Sequence, residues 1–171
     1  MTKENDKKDP GFTIIDDFIE ATYFKQLQEI VLGDQMPWFF QKQVNSHDKE
    51  SSYFTHILYD NYGPCSNFWG HFTNLALRLD AKAFIRIKMN CYPRTEKIIT
   101  HASHVDEDFE HRGALFYWNT NNGKTILENG VKIDSVANRM LLFNAARPHQ
   151  STTCTDQPAR YNTNFNFFKW E

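Results

Sequence analysis

Cysteine is scarce in this chain, and what is present does not pair. Cys65, Cys91 and Cys154 are three in number and follow no paired spacing. That excludes a disulfide framework and suits a reducing, cytoplasmic setting. No Cys-x-x-Cys motif of a zinc finger occurs. No signal-peptide pattern and no long apolar run is found, so no membrane span is expected. An excess of positive charge is also missing. The formal net charge is −2 and the isoelectric point about 6.4. This weighs against a protein built to grip nucleic-acid phosphates. Neither an internal repeat nor a linker breaks the chain.

Aromatic side chains are abundant: 15% of the 171 residues, with 15 Phe. They supply enough area for the core of one domain. Residues 1–11 are charged and end in Pro10-Gly11, so they are expected to be a mobile tail. Residues 12–171 are expected to form a single domain.

Phe12 to Ile15 suggests a first strand. Asp17 is the expected N-cap of a helix, with Glu20 three residues on. Phe24, Leu27, Ile30 and Val31 follow at helical spacing, and Gly33 is the expected stop. Strands are expected at Trp38–Val44 and Tyr53–Tyr59. Ser66 is the expected cap of a second helix with Phe68, Trp69, Phe72, Leu75, Ala76 and Leu79 on its apolar face. From residue 85 the period changes to two. Ile85, Ile87, Met89 and Cys91 alternate with Arg86, Lys88, Asn90 and Tyr92. Leu115–Asn119, Met140–Phe143 and Arg160–Phe168 are further strands. Thr125–Leu127 and Val131–Ile133 flank Glu128-Asn129-Gly130 as a hairpin. In the last strand Arg160, Asn162, Asn164 and Asn166 share one face, opposite Tyr161, Thr163, Phe165 and Phe167. Asparagine is a poor strand former, so four polar residues there face either water or a polar interior. The fold class expected is mainly β with N-terminal helices: a double-stranded β-helix (jelly roll) with the helices packed on one sheet.

His104-Val105-Asp106 carries an imidazole and a carboxylate two residues apart. On a strand, both point the same way. His149 can add a third ligand from a distant part of the chain. Two His and one carboxylate with open positions opposite are the donor set of non-heme Fe(II) oxygenases. Arg160, eleven residues beyond His149, can reach the same cavity on a neighbouring strand. A buried arginine needs an anionic partner, and its planar fork matches a carboxylate. His101 and His111 fit no common zinc spacing and are read as surface residues or as supports of the ligands.

At these residues the chain resembles the 2-oxoglutarate- and Fe(II)-dependent dioxygenases, nearest to the prolyl-4-hydroxylase-like group. Asn90-Cys91-Tyr92 stands where that family often has Asn-x-Tyr. Tyr117-Trp118-Asn119 resembles its strand after the metal motif, and Asn138 to Phe143 the strand leading to the second His. Arg160 matches the arginine that pairs with the distal carboxylate of 2-oxoglutarate. Two departures stand out. Asn122-Gly123-Lys124-Thr125 replaces Gly-Gly-x-Thr, and Asn162 stands where many members have Ser. Collagen-type prolyl hydroxylases carry Lys at the Arg160 position.

The resemblance implies Fe(II), 2-oxoglutarate and O2 as cofactor and cosubstrates. It implies His104, Asp106 and His149 as metal ligands and catalytic centre. It places Arg160, Tyr92, Asn90 and Asn162 on the cosubstrate, and Tyr117 and Asn119 on the substrate. The reaction implied is hydroxylation of a C–H bond, of an amino-acid side chain that is free or in a peptide or protein, with a small-molecule metabolite as the other open substrate and nucleic acid disfavoured. Residues 34–65 and 107–113 would shape the entrance, the latter as a lid. Two other classes stay open: a zinc-dependent hydrolase on a similar barrel, and a non-catalytic jelly-roll binding module.

Overall fold

A computed structural model describes residues 11–45, 48 and 51–169. Nearly all of the expected tail, and the last two residues of the expected domain, lie outside that set. Strand β1 (Phe12–Ile15) leads to helix α1 (Ala21–Leu32). Next come β2 (Phe39–Gln41), β3 (Tyr53–Asp60), β4 (Gly63–Pro64) and helix α2 (Trp69–Leu77). The rest is β: β5 (Ala81–Pro93), β6 (Arg112–Tyr117), β7 (Asn121–Leu127), β8 (Lys132–Ser135), β9 (Arg139–Asn144), β10 (His149–Ser151) and β11 (Ala159–Lys169). No helix among the described residues is long and apolar enough to cross a membrane.

Two antiparallel sheets result. The larger runs β1-β9-β6-β11-β5-β3-β2, with β4 paired to β3. The smaller runs β10-β7-β8. The period-two alternation gives the large sheet two unlike faces. Ile87, Met89, Ala114, Phe116, Met140, Phe165 and Phe167 form one core with Leu27 and Val31 of α1 and Phe72, Leu75 and Ala76 of α2. Trp118 sits at its centre, stacked on Phe24 and edge-on to Phe72 and Phe116. Burying its ring contributes on the order of 5 kcal/mol as an upper estimate. The opposite face is divided. Leu115, Tyr117, Leu141 and Phe143 pack with Ile133 of the small sheet in a second core. Beside them runs the polar strip of β5 and β11, which lines a cavity.

Several boundaries differ from the sequence expectation. Glu20, not Asp17, caps α1, its carboxylate accepting from the Thr22 and Tyr23 amides at 2.8 and 3.0 Å. Asp17 has φ 49°. The next two amides, Phe18 and Ile19, donate to the backbone and side chain of Asn138. That tie holds residues 17–19 off the helix. Ser66 caps only the turn before α2, accepting from the Phe68 amide at 3.0 Å. β2 is shorter than expected. β6 starts at Arg112 and ends at Tyr117, because Asn119 turns aside to bind the Ala159 carbonyl and the Tyr161 amide. The 125–133 hairpin forms as expected, with Gly130 at φ 79°.

Candidate metal centre

The ligand triad does not come from strand periodicity. His104 lies outside the named strands and makes one isolated antiparallel bridge with His149, with N···O distances of 3.1 and 2.9 Å. The Asp106 amide then donates to the Ala145 carbonyl at 3.1 Å. Backbone pairing of the 104–106 segment to β10 and its approach thus brings the three side chains together. Their ligand atoms all lie within 4.8 Å of one another. His104 Nε2 is 3.9 Å from Asp106 Oδ1, and His149 Nε2 is 3.8 Å from Asp106 Oδ2. Metal–ligand bonds of about 2.1 Å place neighbouring ligand atoms about 3 Å apart in octahedral geometry. The two His–Asp pairs need to close by less than about 1 Å and the two imidazoles by less than about 2 Å to hold an ion, so the donor set and spacing fit a divalent metal.

The neighbours fix how each ligand presents itself. His149 Nδ1 donates to the Arg147 carbonyl at 3.0 Å, which leaves the Nε2 lone pair for a metal. Asn164 Nδ2 donates to Asp106 Oδ2 at 2.9 Å. Burial pushes the Asp106 carboxyl up, but His149, the Asn164 amide, Lys88 and His104 outweigh it and hold it below its ordinary value. Burial, then the neighbouring His149, pushes the His104 imidazole down. An ionised carboxylate beside a neutral imidazole is the state that binds metal.

Beside the triad opens a narrow cleft with a cavity volume of about 30 Å³. Tyr92, Asn90 and Lys88 of β5 and Arg160, Asn162 and Asn164 of β11 form one wall, with Tyr53 and Val44 nearby. The register sets them in rungs: Arg160 opposite Tyr92, Asn162 opposite Asn90, Asn164 opposite Lys88. Arg160 is fully buried. Its guanidinium donates to Ser135 Oγ at 2.8 Å, Thr125 Oγ1 at 2.9 Å and the Thr152 carbonyl at 3.4 Å. It lies over the rings of Tyr92 and Tyr117, 5.5 and 5.7 Å from their centroids. Burial raises both phenols, so neither supplies a negative charge. Among the described residues no carboxylate pairs with Arg160. A buried cation with only neutral acceptors is suited to receive an anion.

The other expected residues fall in different places. Asn90 Nδ2 donates to Asn162 Oδ1 at 2.9 Å, and both line the cavity. Tyr117 lies outside the lining, its hydroxyl paired with Thr125 Oγ1 at 2.8 Å. Asn119 is occupied in bridging β6 to β11. Tyr117 thus braces the Thr125 that holds Arg160, and Asn119 braces the sheet. His101 is buried against Ser151 Oγ and stacks on Tyr92, and burial pushes its imidazole down to about 4. His111 pairs with Asn166. Neither joins the triad. In the expected lid, Arg112 and Gly113 belong to β6, and Glu110 is held by Asn144.

Sequence reasoning missed four contributors: Thr125 and Ser135, which hold Arg160, and Lys88 and Tyr53, which line the cavity. Lys88 carried a signal, since it sits on the same alternating face as Asn90 and Tyr92. Gly123 also gains a reason. A Cβ there would lie 2.6 Å from Arg160 Cδ and 2.8 Å from the Thr153 carbonyl. Gly123→Ala is expected to lower the melting temperature by about 5 °C, the effect of one to two kcal/mol of overpacking. A thermal melt unchanged from wild type would show that Arg160 is not held against Gly123.

No protein-family model and no curated protein matches the chain. Solved structures do. An oxidoreductase of the 2OG-Fe(II) oxygenase family from Burkholderia pseudomallei superposes with a TM-score of 0.70 at 11% identity, over 94% of this chain and 86% of that one. The chain has the fold of these oxygenases. A prolyl hydroxylase from Trichoplax adhaerens, solved with a peptide fragment of the hypoxia inducible factor oxygen degradation domain, gives 0.61 at 19% identity over 93% and 84%. HygX from Streptomyces hygroscopicus, solved with nickel, 2-oxoglutarate and hygromycin B, gives 0.64 at 11% over 93% and 83%. At these identities the likeness is one of oxygenase fold, and the chemistry rests on the side chains.

Proposed function

We propose that the chain is a non-heme Fe(II)- and 2-oxoglutarate-dependent dioxygenase that hydroxylates a C–H bond. The observation that carries this reading is the pairing of two features in one cavity: a two-His, one-carboxylate cluster and a fully buried Arg160 with no carboxylate partner among the described residues. The two sheets are read as the double-stranded β-helix of that fold, with α1 and α2 covering the outer face.

His104, Asp106 and His149 would hold Fe(II). Bound iron, with 2-oxoglutarate and dioxygen, would supply the oxidising power for hydroxylation, releasing succinate and carbon dioxide. Arg160 would bind the distal carboxylate of 2-oxoglutarate through its fork. Thr125, Ser135 and the Thr152 carbonyl already hold that fork in place, so little side-chain freedom is lost on binding. Asn90 and Asn162, tied to each other, would wall the space between Arg160 and the metal. Tyr92 would shield the arginine from water, and Asn164 would keep the Asp106 carboxylate aimed at the metal. The substrate class proposed is an amino-acid side chain, free or in a peptide or protein.

Succinate release from 2-oxoglutarate tests the reading. Purified protein with Fe(II), ascorbate and air is expected to form succinate and carbon dioxide in equal amounts, even without primary substrate. Hydrolytic activity with zinc, and no succinate with iron, would overturn it.

A further inference from the structure

Next to the triad stands a charge that the proposed chemistry leaves unused. Lys88 is half-buried in the cavity wall, directly across the strand pair from Asn164. Its ammonium has one weak neutral partner, the Tyr53 hydroxyl at 3.4 Å, and lies 5.9 Å from that ring's centroid. Among the described residues no carboxylate pairs with it. The formal charges of the loaded centre balance without it: two positive on iron and one on Arg160, against one negative on Asp106 and two on 2-oxoglutarate. One rung further out, Arg86 faces Glu107 at 3.9 Å and Asp106 at 3.7 Å. That pair is loose, and Asp106 is committed to the metal. Lys88 is therefore a cation beside the reacting centre that feels Asp106 and Glu107 only at a distance, and a cation in a cleft without a direct counter-ion favours an anionic ligand.

A second group at the same rung narrows the ligand. Asn164 Nδ2 donates to the Asp106 carboxylate, which fixes the orientation of the amide. Its Oδ1 is then a buried acceptor with no donor. Ionised 2-oxoglutarate has no N–H or O–H to offer it. The unmet acceptor calls for a donor from something else in the cavity.

We propose that Lys88 receives the carboxylate of the primary substrate and Asn164 Oδ1 accepts from its amine, so that the substrate class is a free amino acid. This deepens the oxygenase reading and rests on it.

The test uses the protein loaded anaerobically with Fe(II) and 2-oxoglutarate, whose visible metal-to-ligand band first establishes that the complex forms. No band would remove the oxygenase reading, and this proposal with it. With the band present, calorimetric titration with each of the common L-amino acids and its carboxamide reads the proposal itself. At least one acid is expected to bind, and its carboxamide about 20-fold more weakly, the scale of one hydrogen bond to a charged group. Lys88→Met is expected to lose about the same factor for the acid and little for the carboxamide. Lys88→Arg should recover most of it. The 2-oxoglutarate titration of Lys88→Met, followed by the band, should keep its midpoint within about twofold, since this lysine is assigned to the other ligand. Binding of no acid, equal binding of acid and carboxamide, or a weakened 2-oxoglutarate midpoint in Lys88→Met would each overturn the proposal.

Discussion

Arg160→Met is expected to raise the 2-oxoglutarate concentration for half-maximal succinate release by about a hundredfold or more. Removing one member of a buried, hydrogen-bonded charge pair costs about 2–5 kcal/mol, and each 1.4 kcal/mol is tenfold. Arg160 lies deep between the sheets, where water replaces little of the lost interaction. Arg160→Lys is expected to fall between, because it keeps the charge but loses the planar fork and the bond to Ser135. A second readout is thermal: Arg160→Met should lack the rise in melting temperature that 2-oxoglutarate gives wild type. An unchanged half-saturation in Arg160→Met would place the cosubstrate elsewhere.

Asp106→Ala is expected to abolish metal retention. Asp106 is the one carboxylate of the triad and faces both imidazoles at under 4 Å. Without it two neutral nitrogens remain, and an iron that prefers a mixed nitrogen and oxygen set loses its anionic ligand. The drop in Fe(II) affinity should exceed the ten- to hundredfold, in round figures, that follows loss of a residue supporting a ligand. Asn164→Ala measures that smaller effect in the same protein, since Asn164 touches the metal only through Asp106. Anaerobic Fe(II) titration of the three proteins should rank them wild type, Asn164→Ala, Asp106→Ala. Equal affinities for wild type and Asp106→Ala would mean that the carboxylate is no ligand.

Much of this site was legible because strands repeat every two residues. The alternation from Ile85 to Tyr92 and from Arg160 to Phe167 already divides core from cavity, and the observed register joins the two polar faces rung by rung. The His-x-Asp spacing named residues that the structure does bring together, but for an incomplete reason. Side chains two apart need a strand to point together, whereas here a single backbone bridge and one further amide bond do the positioning. The bonds of Tyr117 and Asn119 were not legible, because a polar residue on a strand looks the same whether it meets substrate, a buried arginine or a neighbouring carbonyl. Only tertiary contacts separate those cases. The cap of α1 moved from Asp17 to Glu20 for a similar reason: Asn138, more than a hundred residues away, takes the amides that local sequence would have given to the helix. Long-range ties of this kind leave no mark within a short window.

In the proposed function, His104, Asp106 and His149 together with Arg160 form one iron and 2-oxoglutarate site. A zinc hydrolase on the same barrel would use the triad and leave Arg160 idle. A binding module would use neither. The most direct measurement is an anaerobic titration of metal-free protein with Fe(II) and 2-oxoglutarate, watching the visible charge-transfer band, with Arg160→Met and Asp106→Ala beside it. A band is expected in wild type, the same band at a much higher 2-oxoglutarate concentration in Arg160→Met, and none in Asp106→Ala. No band in wild type, with tightly held zinc or no metal in the isolated protein, would contradict the proposed function.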